Sequence, residues 1–121
     1  MDPTRIAVIE DDASVRDAIT MLLQAEGWAV EPYASGQQFL STHGHTQPPS
    51  CIVLDLILPG ANGVEVLTSL SGADISTVVL TAYPSSDVAA QVRGLDVEEV
   101  LTKPVQPARL VSTLRRCLDG R

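Results

Sequence analysis

An α/β domain built on a parallel sheet is the fold class this sequence predicts, and three observations predict it. Short apolar runs alternate with segments of helical period along the chain. Several of those runs lack the polar alternation of a strand with one wet face, as strands buried on both faces should. The length, 121 residues with 45% hydrophobic and 19% charged, suits one globular core and is too small for two.

The first strand is predicted at Arg5 to Glu10. A helix follows between Asp12 and Gly27, placing Val15, Ile19, Leu22 and Leu23 on one face with Gly27 as its stop. A second strand covers Ala29 to Tyr33, and a short helix Gly36 to Thr42. His43 to Ser50 contains Gly44, Pro48 and Pro49 and reads as a loop into the central strand, Cys51 to Asp55. Further helices at Asn62 to Leu70 and Asp87 to Gly94 alternate with strands at Thr77 to Thr81 and Glu99 to Thr102. The last helix begins at Pro107, a residue suited to a first helical turn, and spaces Leu110, Val111, Leu114, Cys117 and Leu118 by threes and fours. No repeat or second core is evident. A single domain over 1–121 is expected, with any output module on another chain or outside this sequence.

Charge and cysteine content narrow the function. A net charge of −7 argues against a nucleic-acid backbone as direct partner, because that contact relies on clustered Lys and Arg. No apolar stretch approaches the ~20 residues of a membrane span, and the start lacks a basic segment leading into an apolar one, so a soluble cytoplasmic protein is expected. Cys51 and Cys117 have neither metal-knuckle nor redox spacing and read as free core thiols. His43 and His45 lie in the Pro-rich loop without metal-ligand spacing. Lys103 is the only lysine; every other basic residue is arginine.

In an open parallel sheet, ligands bind at the carboxyl ends of the strands. The first strand ends in Glu10-Asp11-Asp12, the third in Asp55, the fourth in Thr81 and the fifth at Lys103-Pro104. Crowded carboxylates repel unless a cation joins them, and a hard, oxygen-liganded ion such as Mg²⁺ suits them. Asp11 and Asp55 are the expected direct ligands, Glu10 acts through a metal-bound water, and the Ile57 backbone carbonyl completes the shell. Asp12 reads only as the N-cap of the first helix. A carboxylate can be a nucleophile toward phosphorus when charge is neutralised around it. Asp55 is then the acceptor, Lys103 a point charge on the phosphoryl group, and the Thr81 hydroxyl a hydrogen-bond donor to it.

With those residues placed, the sequence resembles the receiver domain of two-component response regulators. Ile9-Glu10-Asp11-Asp12, the run from Asp55 to Gly63, Thr81-Ala82 and Lys103-Pro104 match four family blocks in order across essentially the whole chain. The resemblance implies a flavodoxin-like doubly wound (βα)5 fold, with a five-stranded sheet of order 2-1-3-4-5 and a cis Lys103-Pro104 bond. It also implies Mg²⁺ and transfer of a phosphoryl group to Asp55 from a histidine kinase or phosphotransfer protein. Such a module is not a dedicated enzyme, although it catalyses its own phosphorylation and dephosphorylation. Phosphorylation is expected to shift two preexisting states of the face formed by the fourth helix, fifth strand and fifth helix. That face, or the first and fifth helices, is also where a homodimer would form.

The match departs from the family at Val100, where receivers usually carry the Phe or Tyr of their switch; Tyr83 is the nearest aromatic in sequence. Ser71-Gly72-Ala73-Asp74 also suggests a clipped third helix. Three other readings compete. A degenerate receiver that docks without phosphorylation is disfavoured because every chemical position is filled. An aspartyl-nucleophile phosphatase lacks the second acid two residues on, where Ile57 stands. A flavodoxin-like cofactor protein would need a phosphate loop where Glu10-Asp11-Asp12 repels phosphate. Trp28 and Tyr33 are expected to pack, and Arg109, Arg115 and Arg116 to form a solvated helix face.

Overall fold

Apolar runs at Arg5–Ile9 (β1), Ala29–Tyr33 (β2), Cys51–Asp55 (β3), Ser76–Thr81 (β4) and Glu99–Thr102 (β5) form one sheet. In the computed structural model, which describes residues 4–43, 48–56, 63–70 and 74–119, all pairings are parallel and the order is β2-β1-β3-β4-β5. Helices α1 (Ala13–Ala25), α2 (Gly36–His43), α3 (Gly63–Ser69), α4 (Asp87–Arg93) and α5 (Pro107–Asp119) alternate with the strands. The flavodoxin-like arrangement is the one expected. Glu10 falls just after β1 rather than inside it, and β4 begins one residue early. Asn62, Ser71, Gly72 and Ala73 lie outside the described residues, as do Gly44 and His45 of the expected loop.

The two faces of the sheet separate by the period of two along each strand. Ala7, Ile9, Ile52, Leu54 and Val79 face Phe39 of α2, Val66 and Leu67 of α3, and Ala89 and Val92 of α4. Ile6, Val8, Cys51, Val53, Val78 and Leu80 face Leu23 of α1 and Leu110 and Leu114 of α5. This two-sided burial explains the missing polar alternation: every residue of β3 and β4 is buried. Edge strands β2 and β5 are partly exposed, and β2 carries Pro32 opposite Val8.

Helix ends follow local chemistry. The Asp12 carboxylate accepts the Val15 N–H at 3.0 Å and caps α1, as expected. Gly27, at φ 92, takes the left-handed conformation just past that helix. Tyr33 is buried edge-on against Phe39, with ring centroids 5.3 Å apart, so it packs as expected. Val15 departs from expectation. It stays 37% exposed at the rim of a groove between α1 and the Lys103-Pro104 turn.

Gly63 opens α3 where no side chain fits. Its N–H donates to the Leu56 carbonyl at 3.1 Å, and an added Cβ would stand 2.7 Å from that same oxygen. The obstacle is backbone, so Gly63→Ala is expected to lower the unfolding free energy by about 2 kcal/mol. A urea melt checks this, and an unchanged midpoint would mean that the backbone after Asp55 yields freely.

Candidate functional site

Strand register brings the expected residues to one edge. Ile9 lies opposite Leu54, so the following residues, Glu10 and Asp55, emerge level with each other. Asp55 in turn pairs with Leu80, and Thr81 with Thr102, which places Thr81 and Lys103 one step further along the same edge. The Lys103-Pro104 peptide bond is cis.

Lys103 joins two acids. Its Nζ donates to Glu10 Oε1 at 2.9 Å and to Asp55 Oδ2 at 3.0 Å. Burial opposes the ammonium charge, yet the hydrogen bonds to Glu10 and Asp55 prevail and hold Lys103 above the usual lysine range. Glu10, only 1% exposed, responds in the opposite sense from an ordinary surface glutamate. Burial first, then the neighbouring Asp55 carboxylate, pushes its pKa up to about 7 against the pull of Lys103.

Glu10, Asp11 and Asp55 each offer a carboxylate oxygen, and these atoms lie within 4.8 Å of one another. Asp11 is exposed and opens the cluster to solvent, whereas Glu10 and Asp55 are buried. The second Glu10 oxygen, Oε2, is buried without a hydrogen-bond donor among the described residues. An orphaned buried oxygen beside two more carboxylates is the donor set of a hard divalent cation, so the triad can hold a metal ion. Ile57, the expected carbonyl ligand, lies outside the described residues.

Thr81 reaches the same edge but is engaged locally. It is 1% exposed, and its Oγ1 accepts the Tyr83 N–H at 3.0 Å. Tyr83 itself is 63% exposed. Val100 is partly buried and packs on the core beneath α2, α3 and α4. The α5 arginines are exposed, as expected, but not merely solvated. Arg109 and Arg116 both pair with Glu99, while Arg115 pairs with Glu26 and lies 5.8 Å from the Trp28 ring centre.

One cation near the triad has no place in the sequence reading. Arg16, on the first turns of α1, donates through Nη1 to the Glu10 carbonyl at 2.9 Å and reaches the Asp11 carbonyl at 3.4 Å. Its signal in the sequence is faint: a basic residue close to a helix N-terminus, where the macrodipole disfavours it.

Glu10 also makes stability depend on pH. A carboxyl raised from 4.5 to about 7 on folding stabilises the fold while protonated, and that contribution is lost as pH rises through 7. Metal-free Glu10→Gln is therefore expected to be more stable than wild type near about pH 8 and to equal it only at about pH 4 and below, beneath the unfolded-state value. Urea midpoints in EDTA measure the difference. A constant offset between the two proteins would place the titration elsewhere.

Residues 6–115 match the response regulator receiver domain family. The chain is 32% identical over 115 residues to the transcriptional regulatory protein FixJ of Azorhizobium caulinodans, covering 93% of this chain and 54% of that protein. It is 34% identical over 114 residues to the DNA-binding response regulator MtrA of Mycobacterium tuberculosis, covering 92% of this chain and 49% of that one. The chain thus spans about half the length of these curated relatives. Among solved structures, a response regulator receiver protein from Burkholderia phymatum superposes with a TM-score of 0.85 at 32% identity, covering 98% of this chain and 96% of that one. A CheY-like receiver domain protein from Methanospirillum hungatei superposes with a TM-score of 0.90 at 23% identity, over 98% and 96% of the two chains, a likeness of fold.

Proposed function

The chain belongs to the response regulator receiver domain family, and from that premise we propose that Asp55 accepts a phosphoryl group from a histidine kinase or phosphotransfer protein and so switches a protein surface. The observation that carries the reading is the bridge of Lys103 between Asp55 and buried Glu10, with Asp11 completing an acidic triad. Receiver domains partner histidine kinases, and this edge has the parts such a transfer uses.

An Asp55 carboxylate oxygen attacks phosphorus while the bond from phosphorus to the donor imidazole nitrogen breaks, its electron pair returning to the ring. Asp11 and Asp55, with Glu10 beside them, would hold Mg²⁺, which when bound would supply charge neutralisation for the phosphoryl oxygens. Lys103 turns its ammonium from the Asp55 carboxylate to the phosphoryl group newly joined to it, and keeps Glu10 as its second partner. The Thr81 hydroxyl oxygen already accepts the Tyr83 N–H, and its own proton is the one donated to a phosphoryl oxygen. That bond ties the site to the exposed segment at Tyr83.

The readout is a population shift at the face of α4, β5 and α5, where Glu99 holds Arg109 and Arg116 and Val100 stands in the place of an aromatic residue. Self-association through that face, or through α1 and α5, belongs to the same proposal. FixJ, a transcriptional regulatory protein, and MtrA, a DNA-binding response regulator, are about twice as long as this chain, and by that likeness the signal passes to a further module that meets DNA. The net charge of −7 keeps direct DNA contact away from this domain. No helix among the described residues is long and apolar enough to cross a membrane.

Incubation with acetyl phosphate and Mg²⁺, followed by intact mass measurement, tests the reading. One added phosphoryl group is expected; an unmodified wild type favours a receiver that acts by docking alone.

A further inference from the structure

We propose that Arg16 is a positioning residue for the divalent cation, acting on the backbone that carries two of the three carboxylates; this rests on the phosphoacceptor reading above. Residues 10 to 12 lead from the end of β1 to the start of α1 and belong to neither element. Their conformation is set by three separate anchors. The Glu10 N–H donates to the Tyr33 carbonyl at 3.1 Å, extending the β1 to β2 ladder by one bond. The Asp12 carboxylate caps α1 through the Val15 N–H at 3.0 Å, and the Asp12 carbonyl accepts the Arg16 N–H at 2.8 Å. Between these anchors, the Glu10 and Asp11 carbonyls point to one partner, the Arg16 guanidinium, at 2.9 and 3.4 Å.

The half-buried Arg16 side chain therefore holds both peptide groups that flank the Asp11 Cα. Asp11 is exposed, so packing does little to orient its carboxylate, and the peptide groups on either side must do so. Planar guanidinium geometry suits this task, because one nitrogen can be shared between adjacent carbonyls while the stem stays against the helix.

The sign of the effect separates positioning from simple electrostatics. Arg16 is a positive charge beside a cation site, so on charge alone its removal should tighten Mg²⁺ binding. If its part is positioning, removal weakens binding, by roughly 10-fold for a lost outer partner of a metal ligand.

Isothermal titration of the full chain with Mg²⁺ alone, without any phosphodonor, reads this directly. Arg16→Met is expected to raise the Kd about 10-fold, while saturating Mg²⁺ restores phosphorylation by acetyl phosphate to near the wild-type rate. Unchanged or tighter Mg²⁺ binding by a folded Arg16→Met overturns the proposal. Should that variant unfold, Arg16→Lys carries the test. An ammonium replaces one carbonyl bond, so weaker binding by at least about twofold is expected, and wild-type affinity overturns the proposal. A wild type that binds no Mg²⁺ removes the metal-assisted phosphoacceptor reading itself, which is a different result from equal binding by wild type and variant.

Discussion

Asp55→Asn takes up no phosphoryl group under conditions in which the wild type is fully modified: this is the expected outcome with acetyl phosphate or phosphoramidate and Mg²⁺, read by intact mass. The amide matches the carboxylate in shape, so β3 keeps its buried end and Leu56 its place against Gly63. What disappears is the carboxylate that the proposed transfer uses as nucleophile. The substitution also removes the carboxylate that helps raise the Glu10 pKa, leaving Lys103 paired with a more readily ionised partner. A folded protein without phosphate uptake is the predicted combination. Modification of Asp55→Asn at the wild-type rate would place the acceptor on another residue.

Lys103→Met has the second largest expected effect, and it acts on both rate and stability. Removing one preorganised charge from the transferring group should slow phosphorylation by roughly 10²- to 10³-fold at saturating Mg²⁺. The same change leaves buried Glu10 and Asp55 facing each other without their shared ammonium. Glu10 then holds its proton still more firmly, so the metal-free variant is destabilised chiefly at pH above 7, where wild-type Glu10 ionises. Stopped-flow phosphorylation and urea melts on either side of neutrality measure the two effects. Loss of stability at low pH alone would mean that Lys103 is held by something other than the two acids.

Much of this was legible in the sequence, for identifiable reasons. β3 and β4 are buried on both faces, so Cys51 to Asp55 and Thr77 to Thr81 stand out as unbroken apolar runs ending in polar residues. Parallel strands start together and end together, and therefore Glu10, Asp11, Asp55 and Lys103 are gathered by register alone. Interactions that depend on side-chain reach were not legible. No periodicity reveals that Arg16 turns back to the Glu10 carbonyl or that Glu99 takes both Arg109 and Arg116. Val15 shares the apolar spacing of Ile19 and Leu23, yet lies at the rim of the open groove beside Lys103-Pro104, so helical period overstates its burial. The groups on Ile57 and His45 lie outside the described residues.

The two outer strands carry a consequence for how this molecule behaves in a crowded solution. A sheet edge with free amide and carbonyl groups invites another chain to add a strand, and repeated addition leads to aggregates. Here one outer strand contains Pro32, which brings no N–H to such a ladder, and the other is only four residues long. Neither border offers a long, flat row of donors and acceptors. Both borders thereby resist open-ended growth of the sheet by strand addition.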